Sequence, residues 1–296
     1  MFRTIEFPSL QGVYSYDSSY SVSVFLASLT SLCSIASEIY LIMDSCSINK
    51  SFTFLAGIGY ILSKLKHVRT ISMIYPAVGH THMSVDAHFG VVARKIVDVD
   101  IKDPLEFSNF LESNPSVTRV VPAPTIFDFS NLTDYMFKPS GLCSNGLITV
   151  SRSAEAGFIT YASALAMTSS QLVGAESNQA YKHLFKDEFY TNKPSPSILI
   201  PETAETEAKV SSVLRGSSAI FSDENKMNFS NSLNDFGTQS IRQLILQINS
   251  IPPKLTLEGI QNNQDSQMSV VDFLQRNNIN AGRVPREPNF KMSQLL

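Results

Sequence analysis

The sequence predicts an α/β protein whose chemistry sits at the carboxyl edge of a parallel pair of strands. Three observations carry this expectation. Apolar residues recur at helical spacing over 22–36 and 50–65. Two short runs rich in Ile, Leu and Met, 38–44 and 70–75, read as buried strands. The elements then alternate helix, strand, helix, strand, helix, the order of parallel strands joined by crossover helices. With 296 residues, 43% of them hydrophobic and 10% aromatic, the chain has enough apolar surface for a full core in one or two domains.

In the first helix, Val22, Phe25, Leu26, Leu29, Leu32, Cys33 and Ala36 form one face and serines fill the other. The strand over 38–44 ends in Asp44, which it delivers to the sheet edge where open α/β sheets hold their sites. The next helix carries Phe54, Leu55, Ile58, Ile61, Leu62 and Leu65, and its Gly57 and Gly59 weaken it while permitting close packing. A basic tip of Lys64, Lys66, His67 and Arg69 leads into the second strand, which Pro76 closes. A third helix begins near Ser84, with Val85, Phe89, Val92 and Ile96 on one face.

Further on, 104–111 reads as a short capped helix, 118–121 as a strand, and 147–150 with 158–161 as a hairpin. The expected organisation is a core over 1–140, a smaller mixed α+β extension over 141–190, and a polar tail over 191–296. That tail is rich in Ser, Asn, Gln, Glu and Pro, with isolated patterned stretches such as 241–248.

Charge and cysteine content narrow the function. A net charge of -3 lacks the broad basic surplus of a protein that holds duplex DNA by phosphate neutralisation alone, so any nucleic-acid contact must be local. Cys33, Cys46 and Cys143 are odd in number and widely spaced, which matches neither a disulfide framework nor a four-ligand zinc site. A reducing intracellular compartment, nuclear or cytoplasmic, is expected. Arg3 is the only basic residue among the first twenty, unlike a signal peptide, and the apolar run 52–62 is too short to span a bilayer. No membrane partner is expected.

Two constellations carry chemistry. Residues 79–90 place His80, His82, Asp86 and His88 within nine residues after a buried strand, and imidazole and carboxylate groups are natural ligands for divalent metals. The alternative is that His80 caps the turn, Asp86 favours the helix dipole and His82 and His88 are solvated. The second constellation is Asp44 at a strand end followed by Asn49 and Lys50. Together, Asp44 and Asp86 can bind one or two Mg²⁺ or Mn²⁺ ions that polarise a phosphodiester and activate the attacking oxygen. Here the alternative is that Asp44 only caps the following helix.

Other enzyme classes fit poorly. The string Gly79, His80, Thr81, His82 looks like the last histidine motif of calcineurin-like metallophosphatases, but their Asp-x-His and Gly-Asp-x-x-Asp motifs are missing upstream. Metallo-β-lactamases need an acid two residues after the second histidine, and Asp86 lies four after His82. There is neither a Gly-x-Ser-x-Gly elbow nor a Gly-x-x-x-x-Gly-Lys phosphate loop.

Asp44, Cys46, Asn49 and Lys50, then a helix and a strand, then Gly79, His80, Thr81, His82, Asp86, Phe89 and Gly90 follow in a characteristic order. In that order they resemble an uncharacterised domain family of animal transposable-element-derived proteins, with a ribonuclease H-like core of the DDE transposase and integrase type. The similarity continues through Arg94, Lys95 and Ile96, then 101–106 and 119–129, and covers roughly residues 12–140.

The resemblance implies a core in which three acids bind two metal ions. Asp44 is expected as the second acid and Asp86 as the third. The first belongs on a strand upstream of Tyr14 and Asp17, where Glu6 and Asp17 itself are the nearby carboxylates, so the core is expected to be incomplete at its N-terminus. Ser47 and Ile48 stand where the family commonly has Gly-Gln.

The implied protein is a truncated or domesticated transposase-like nuclease, ancestrally a Mg²⁺- or Mn²⁺-dependent DNA phosphoryl transferase. His80 and His82 would orient ligands or phosphate, with Asn49 and His88 in support. Lys50, Lys64, Lys66 and Arg69 would contact the DNA backbone. The rival expectation is a noncatalytic α/β interaction protein whose surface binds a protein partner.

Overall fold

The fold is taken from a computed structural model, which describes residues 5–7, 16–76, 84–115, 117, 119–121, 124–153, 157–164, 181–200, 208, 211–212, 215, 221–234 and 237–254. Its centre is the expected parallel pair: β2 (Glu38–Ile42) and β3 (Thr70–Ile74) run side by side from Glu38 opposite Thr70 to Ile42 opposite Ile74. Antiparallel strands extend the sheet beyond β3. These are β6 (Leu147–Arg152), β7 (Ile159–Ala164) and β8 (Lys182–His183), giving the order β2-β3-β6-β7-β8. Two small pairs flank it. β1 (Ile5–Glu6) lies parallel to β4 (Arg119–Val120), and β5 (Phe127–Asp128) lies antiparallel to β9 (Ser197–Ile198). The chain is thus a mixed α/β protein, without a closed barrel among the described residues.

The crossover between the parallel strands is helix α2 (Phe52–Lys64), in which every residue from Phe54 to Leu62 is buried. Its N-terminus is fixed by Ser51, whose hydroxyl accepts from the Phe54 amide at 3.0 Å. A helix buried on all sides needs small residues where neighbours press closest. A Cβ on Gly57 would stand 2.8 Å from Val22 Cγ1, and one on Gly59 would stand 2.4 Å from Leu184 Cδ2. Both glycines therefore serve packing, as the sequence pattern expected.

Helix α1 (Ser18–Leu29) begins and ends earlier than its apolar spacing implied. Asp17 caps it, accepting from the Tyr20 amide at 3.0 Å, while Leu32 and Cys33 lie exposed beyond its end. Its serines are not merely a polar face. Ser19 and Ser23 are buried and accept from the amides of Phe129 (3.1 Å) and Phe127 (2.9 Å), so these hydroxyls join the helix to the β5 segment.

Helix α3 (Ser84–Ile96) matches its expected start, but Phe89, assigned to the apolar face, is 55% exposed. The helix is tied instead through His88, whose Nε2 lies 2.6 Å from Glu6 Oε1 on β1. It is also tied through Lys95, which donates to Asn114 at 3.2 Å. Asn114 is the C-cap of helix α4 (Pro104–Ser113), which Asp103 and Pro104 start.

Two features cross the expected domain boundaries. The hairpin β6–β7 was assigned to a separate extension over 141–190, yet β6 hydrogen-bonds β3 from Leu147 to Ser151 and belongs to the same sheet. Helix α5 (Asp187–Asn192) closes the 141–190 region, and within the region read as a polar tail the described residues include α6 (Asp223–Asn234) and α7 (Ile241–Ser250). Helix α7 has a capping box between Ser240 and Gln243, and Ile241, Leu244, Ile245 and Ile248 enter the main core cluster. Just after it, Pro253 pairs in parallel with Ile35, held by Ile35 N to Pro252 O (3.0 Å) and Lys254 N to Ile35 O (2.7 Å). Among the described residues no helix is long and apolar enough to cross a membrane.

Candidate functional site

Parallel strands deliver their carboxyl ends to one edge, so the residues after Ile42 and after Ile74 meet there. Asp44 is exposed at this edge. The Asn49 side chain donates Nδ2 to Asp44 Oδ1 at 2.5 Å. Asn49 is itself held from below, because the Tyr75 hydroxyl donates to its carbonyl at 2.8 Å. The rest of the turn is pinned as well: Ser18 Oγ donates to Ile48 O (2.8 Å), Ser45 Oγ to Pro76 O (3.3 Å) and Lys50 N to Cys46 O (3.1 Å). Asp44 is therefore an exposed carboxylate on a tightly fastened turn.

Lys50 is 9% exposed. Its ammonium donates to the Cys143 carbonyl at 3.2 Å and lies 4.6 Å from the centre of the Tyr75 ring. This position is inward, against β3 and the loop before β6, and differs from the surface position expected of a DNA-backbone contact. Burial, with an electrostatic contribution from the neighbouring Cys46 as a smaller cause, pushes the Tyr75 phenol well above the usual tyrosine value, so it remains a neutral donor. Sequence reasoning missed Tyr75, which had been read only as the last residue of a strand. It also missed Asn145, which precedes β6 at the same edge. Asn145 is 7% exposed, and its amide nitrogen has no hydrogen-bond partner among the described residues. Neither residue stands in a motif; β3, paired with β2, carries Tyr75 to this edge, and the pairing of β3 with β6 brings Asn145.

The other expected residues are distributed differently. Asp86 is the third residue of α3, and its side chain, like His80 and His82, lies outside the described residues. His88 faces Glu6, both side chains mostly buried at 11% and 16% exposure. Glu6, a candidate first acid, thus has its carboxylate on an imidazole. The other candidate, Asp17, does share the Asp44 edge, since its neighbour Ser18 touches Ser51 Oγ at 2.6 Å, but its carboxylate caps α1.

Lys64, Lys66 and Arg69 sit where α2 ends and β3 begins, which is the opposite edge of the sheet. A helix of 13 residues is about 20 Å long, so these cations and Asp44 are separated by about that distance. They cannot grip the phosphate at which Asp44 would act.

The exposed carboxylate of Asp44 is a hard oxygen donor of the kind Mg²⁺ and Mn²⁺ take. Its lone pairs are not exhausted by the single bond from Asn49. Among the described residues there is no group of three or more metal-capable side chains.

The family described as a domain of unknown function, DUF7869, matches residues 7–160, a stretch that runs from the end of β1 into β7 and includes the whole β2–β3 edge. No curated protein and no solved structure matches the chain.

Proposed function

The chain belongs to the DUF7869 family, and on that premise we propose that it is a transposon-derived protein of ribonuclease H-like descent, with a divalent-metal phosphoryl-transfer site built on Asp44 and Asp86. The observation that carries this reading is the placement of Asp44: exposed, at the carboxyl edge of a parallel strand pair, with its carboxylate oriented by Asn49 on a turn anchored by Tyr75. Helix α3 follows the neighbouring strand in the chain and carries Asp86 as its third residue, the partner acid that this reading calls for.

Mg²⁺ or Mn²⁺ bound there would polarise a phosphodiester of DNA and lower the pKa of an attacking water. The protein's own part is to present Asp44 without rotational freedom and, through the neutral Tyr75 hydroxyl, to keep the Asn49 carbonyl from drifting. Cleavage is weakened in this chain because both candidates for a further acid, Glu6 and Asp17, are already engaged with His88 and with the start of α1.

The test is metal-dependent thermal stabilisation. Mn²⁺ raises the melting temperature of the wild type, and Asp44→Ala combined with Asp86→Ala removes the rise. If Mn²⁺ has no effect on the wild type, or the same effect on the double variant, the metal site is wrong. A nicking assay on labelled duplex DNA then reads activity directly.

A second reading, a noncatalytic α/β interaction protein that binds a protein partner, is favoured by the inward position of Lys50, which removes one expected phosphate contact from the Asp44 edge. An intact Mn²⁺ response argues against it.

A further inference from the structure

At the edge that carries Asp44, three strands end side by side. Ile42 pairs with Ile74 and Ile74 with Leu147, so the residues beyond them follow in the order Asp44, Pro76, Asn145 across β2, β3 and β6. Backbone hydrogen bonds fix both steps: Met43 N donates to Ile74 O at 3.0 Å, and Tyr75 N donates to Gly146 O at 2.9 Å. Two strand spacings, about 10 Å, separate the first and last members of this row.

Asn145 is 7% exposed and caps the 3₁₀ turn Leu142–Ser144, whose Cys143 and Ser144 are exposed. Its side-chain Nδ2 is buried and has no hydrogen-bond partner among the described residues. A buried donor left in that state is costly, so its presence calls for an acceptor that the chain itself does not supply. The charge beside it says which kind. Lys50 Nζ donates to Cys143 O at 3.2 Å, two residues before Asn145, and places a buried positive charge behind the same turn. An amide donor backed by an ammonium favours an oxyanion over a cation or a neutral acceptor.

We propose that Asn145 forms an oxyanion pocket for a phosphate group, one oxygen of which accepts from Nδ2. The pocket rests on the phosphoryl-transfer reading of the Asp44 edge and adds the anion half of that site. Asp44 faces a cation at one end of the row and Asn145 the phosphate at the other, and a span of about 10 Å leaves room for both. Lys50, turned inward, does not touch the phosphate; its charge acts through the turn that it supports. A lone buried water is the competing occupant, and it leaves the protein indifferent to phosphate.

The experiment is a melting curve of the full chain in EDTA with inorganic phosphate added, against chloride at matched ionic strength. Phosphate raises the wild-type melting temperature with the logarithm of its concentration, and chloride does not. Asn145→Leu removes the donor at nearly the same size, and Asn145→Asp keeps the shape but turns the donor into an acceptor. Each lowers phosphate affinity by on the order of tenfold, the worth of one hydrogen bond to a charged group. Without phosphate, Asn145→Leu melts no lower than the wild type, because it removes an unsatisfied donor. A thymidine dinucleotide, whose one phosphate is a diester, is titrated in parallel. A response to it assigns the group to a nucleic-acid chain, and a response to inorganic phosphate alone assigns it to a free phosphate or phosphate monoester. No wild-type response to either compound, an undiminished response in both variants, or an equal response to chloride overturns the pocket. Because EDTA withholds metal, this result and the Mn²⁺ response fail separately.

Discussion

The Tyr75 hydroxyl donates to the Asn49 carbonyl at 2.8 Å, and the Asn49 side chain donates to the Asp44 carboxylate. One buried phenol on β3's end thereby sets the orientation of an exposed acid on β2's end. Tyr75→Phe keeps the ring under the Lys50 ammonium and removes only the hydroxyl. It is expected to cost about 1 kcal/mol in chemical denaturation, the worth of one neutral hydrogen bond. If Asp44 binds metal, the same variant also weakens Mn²⁺ affinity severalfold in a titration followed by melting temperature. Unchanged stability and unchanged metal response would show that Asn49 is held by other means.

Alkaline pH tests the buried phenols together. Burial raises Tyr60, Tyr75, Tyr161 and Tyr190 above the ordinary tyrosine value of about 10, with Ser195 partly opposing it at Tyr60 and the Ile159 amide at Tyr190. In the unfolded chain these groups lose protons near pH 10 while in the fold they retain them, so the unfolded state binds fewer protons and stability falls as pH rises. The melting temperature should be flat to about pH 9 and fall steeply above about pH 10. Tyr75→Phe makes that fall shallower.

Asp103 couples α4 to α6. It is 3% exposed and accepts from Asn225 Nδ2 (2.7 Å), Asn228 Nδ2 (2.9 Å) and the Glu106 amide (2.8 Å). Desolvation raises its pKa, but the hydrogen bonds from Asn228, Glu106 and Asn225 outweigh that and leave it lowered. Its stabilisation is therefore present above the unfolded carboxyl value of about 4 and lost as pH falls through the lower folded value. Asp103→Ala should cost about 2 kcal/mol and open the α6 amides to hydrogen exchange, because it leaves two carboxamides facing a cavity. Retained protection in α6 would show that apolar contacts alone hold that helix.

Two glycines in helices give opposite signs. Replacing a helical glycine by alanine gains about 1 kcal/mol of propensity. At Gly90 in α3 nothing lies within 4 Å of the new methyl, so Gly90→Ala should stabilise by nearly that amount. At Gly59 the methyl meets Leu184 Cδ2 at 2.4 Å and Phe185 Cε2 at 2.9 Å. Leu184 is fully buried and the Phe185 ring stacks on Phe189 at 3.8 Å, so neither can yield. Overpacking of about 1–3 kcal/mol wins there, and Gly59→Ala should be net destabilising. Urea melts of the two variants decide this; equal shifts would contradict the packing around α2.

The local elements of the edge were legible because each depends on neighbours in sequence. Apolar periodicity marked α2, the β-rich runs 38–44 and 70–75 marked β2 and β3, and the strand end placed Asp44. The hairpin β6–β7 was legible for the same reason. Asp44 with Asn49 and Lys50 stood out as one polar group after a strand, but the inward turn of Lys50 did not, since it depends on a carbonyl 93 positions away.

The sequence by itself determined the alternation of helices and strands, the parallel pair and the edge to which Asp44 belongs, since periodicity and strand direction follow from residues a few positions apart. Only the tertiary structure decided that β6–β7 joins the same sheet and that α7 enters the core. It alone revealed that Tyr75 underlies Asn49 and that Lys50 turns inward onto the Cys143 carbonyl. Those are outcomes of strand order and of burial between distant segments. The energy that selects them comes from contacts with no fixed spacing along the chain.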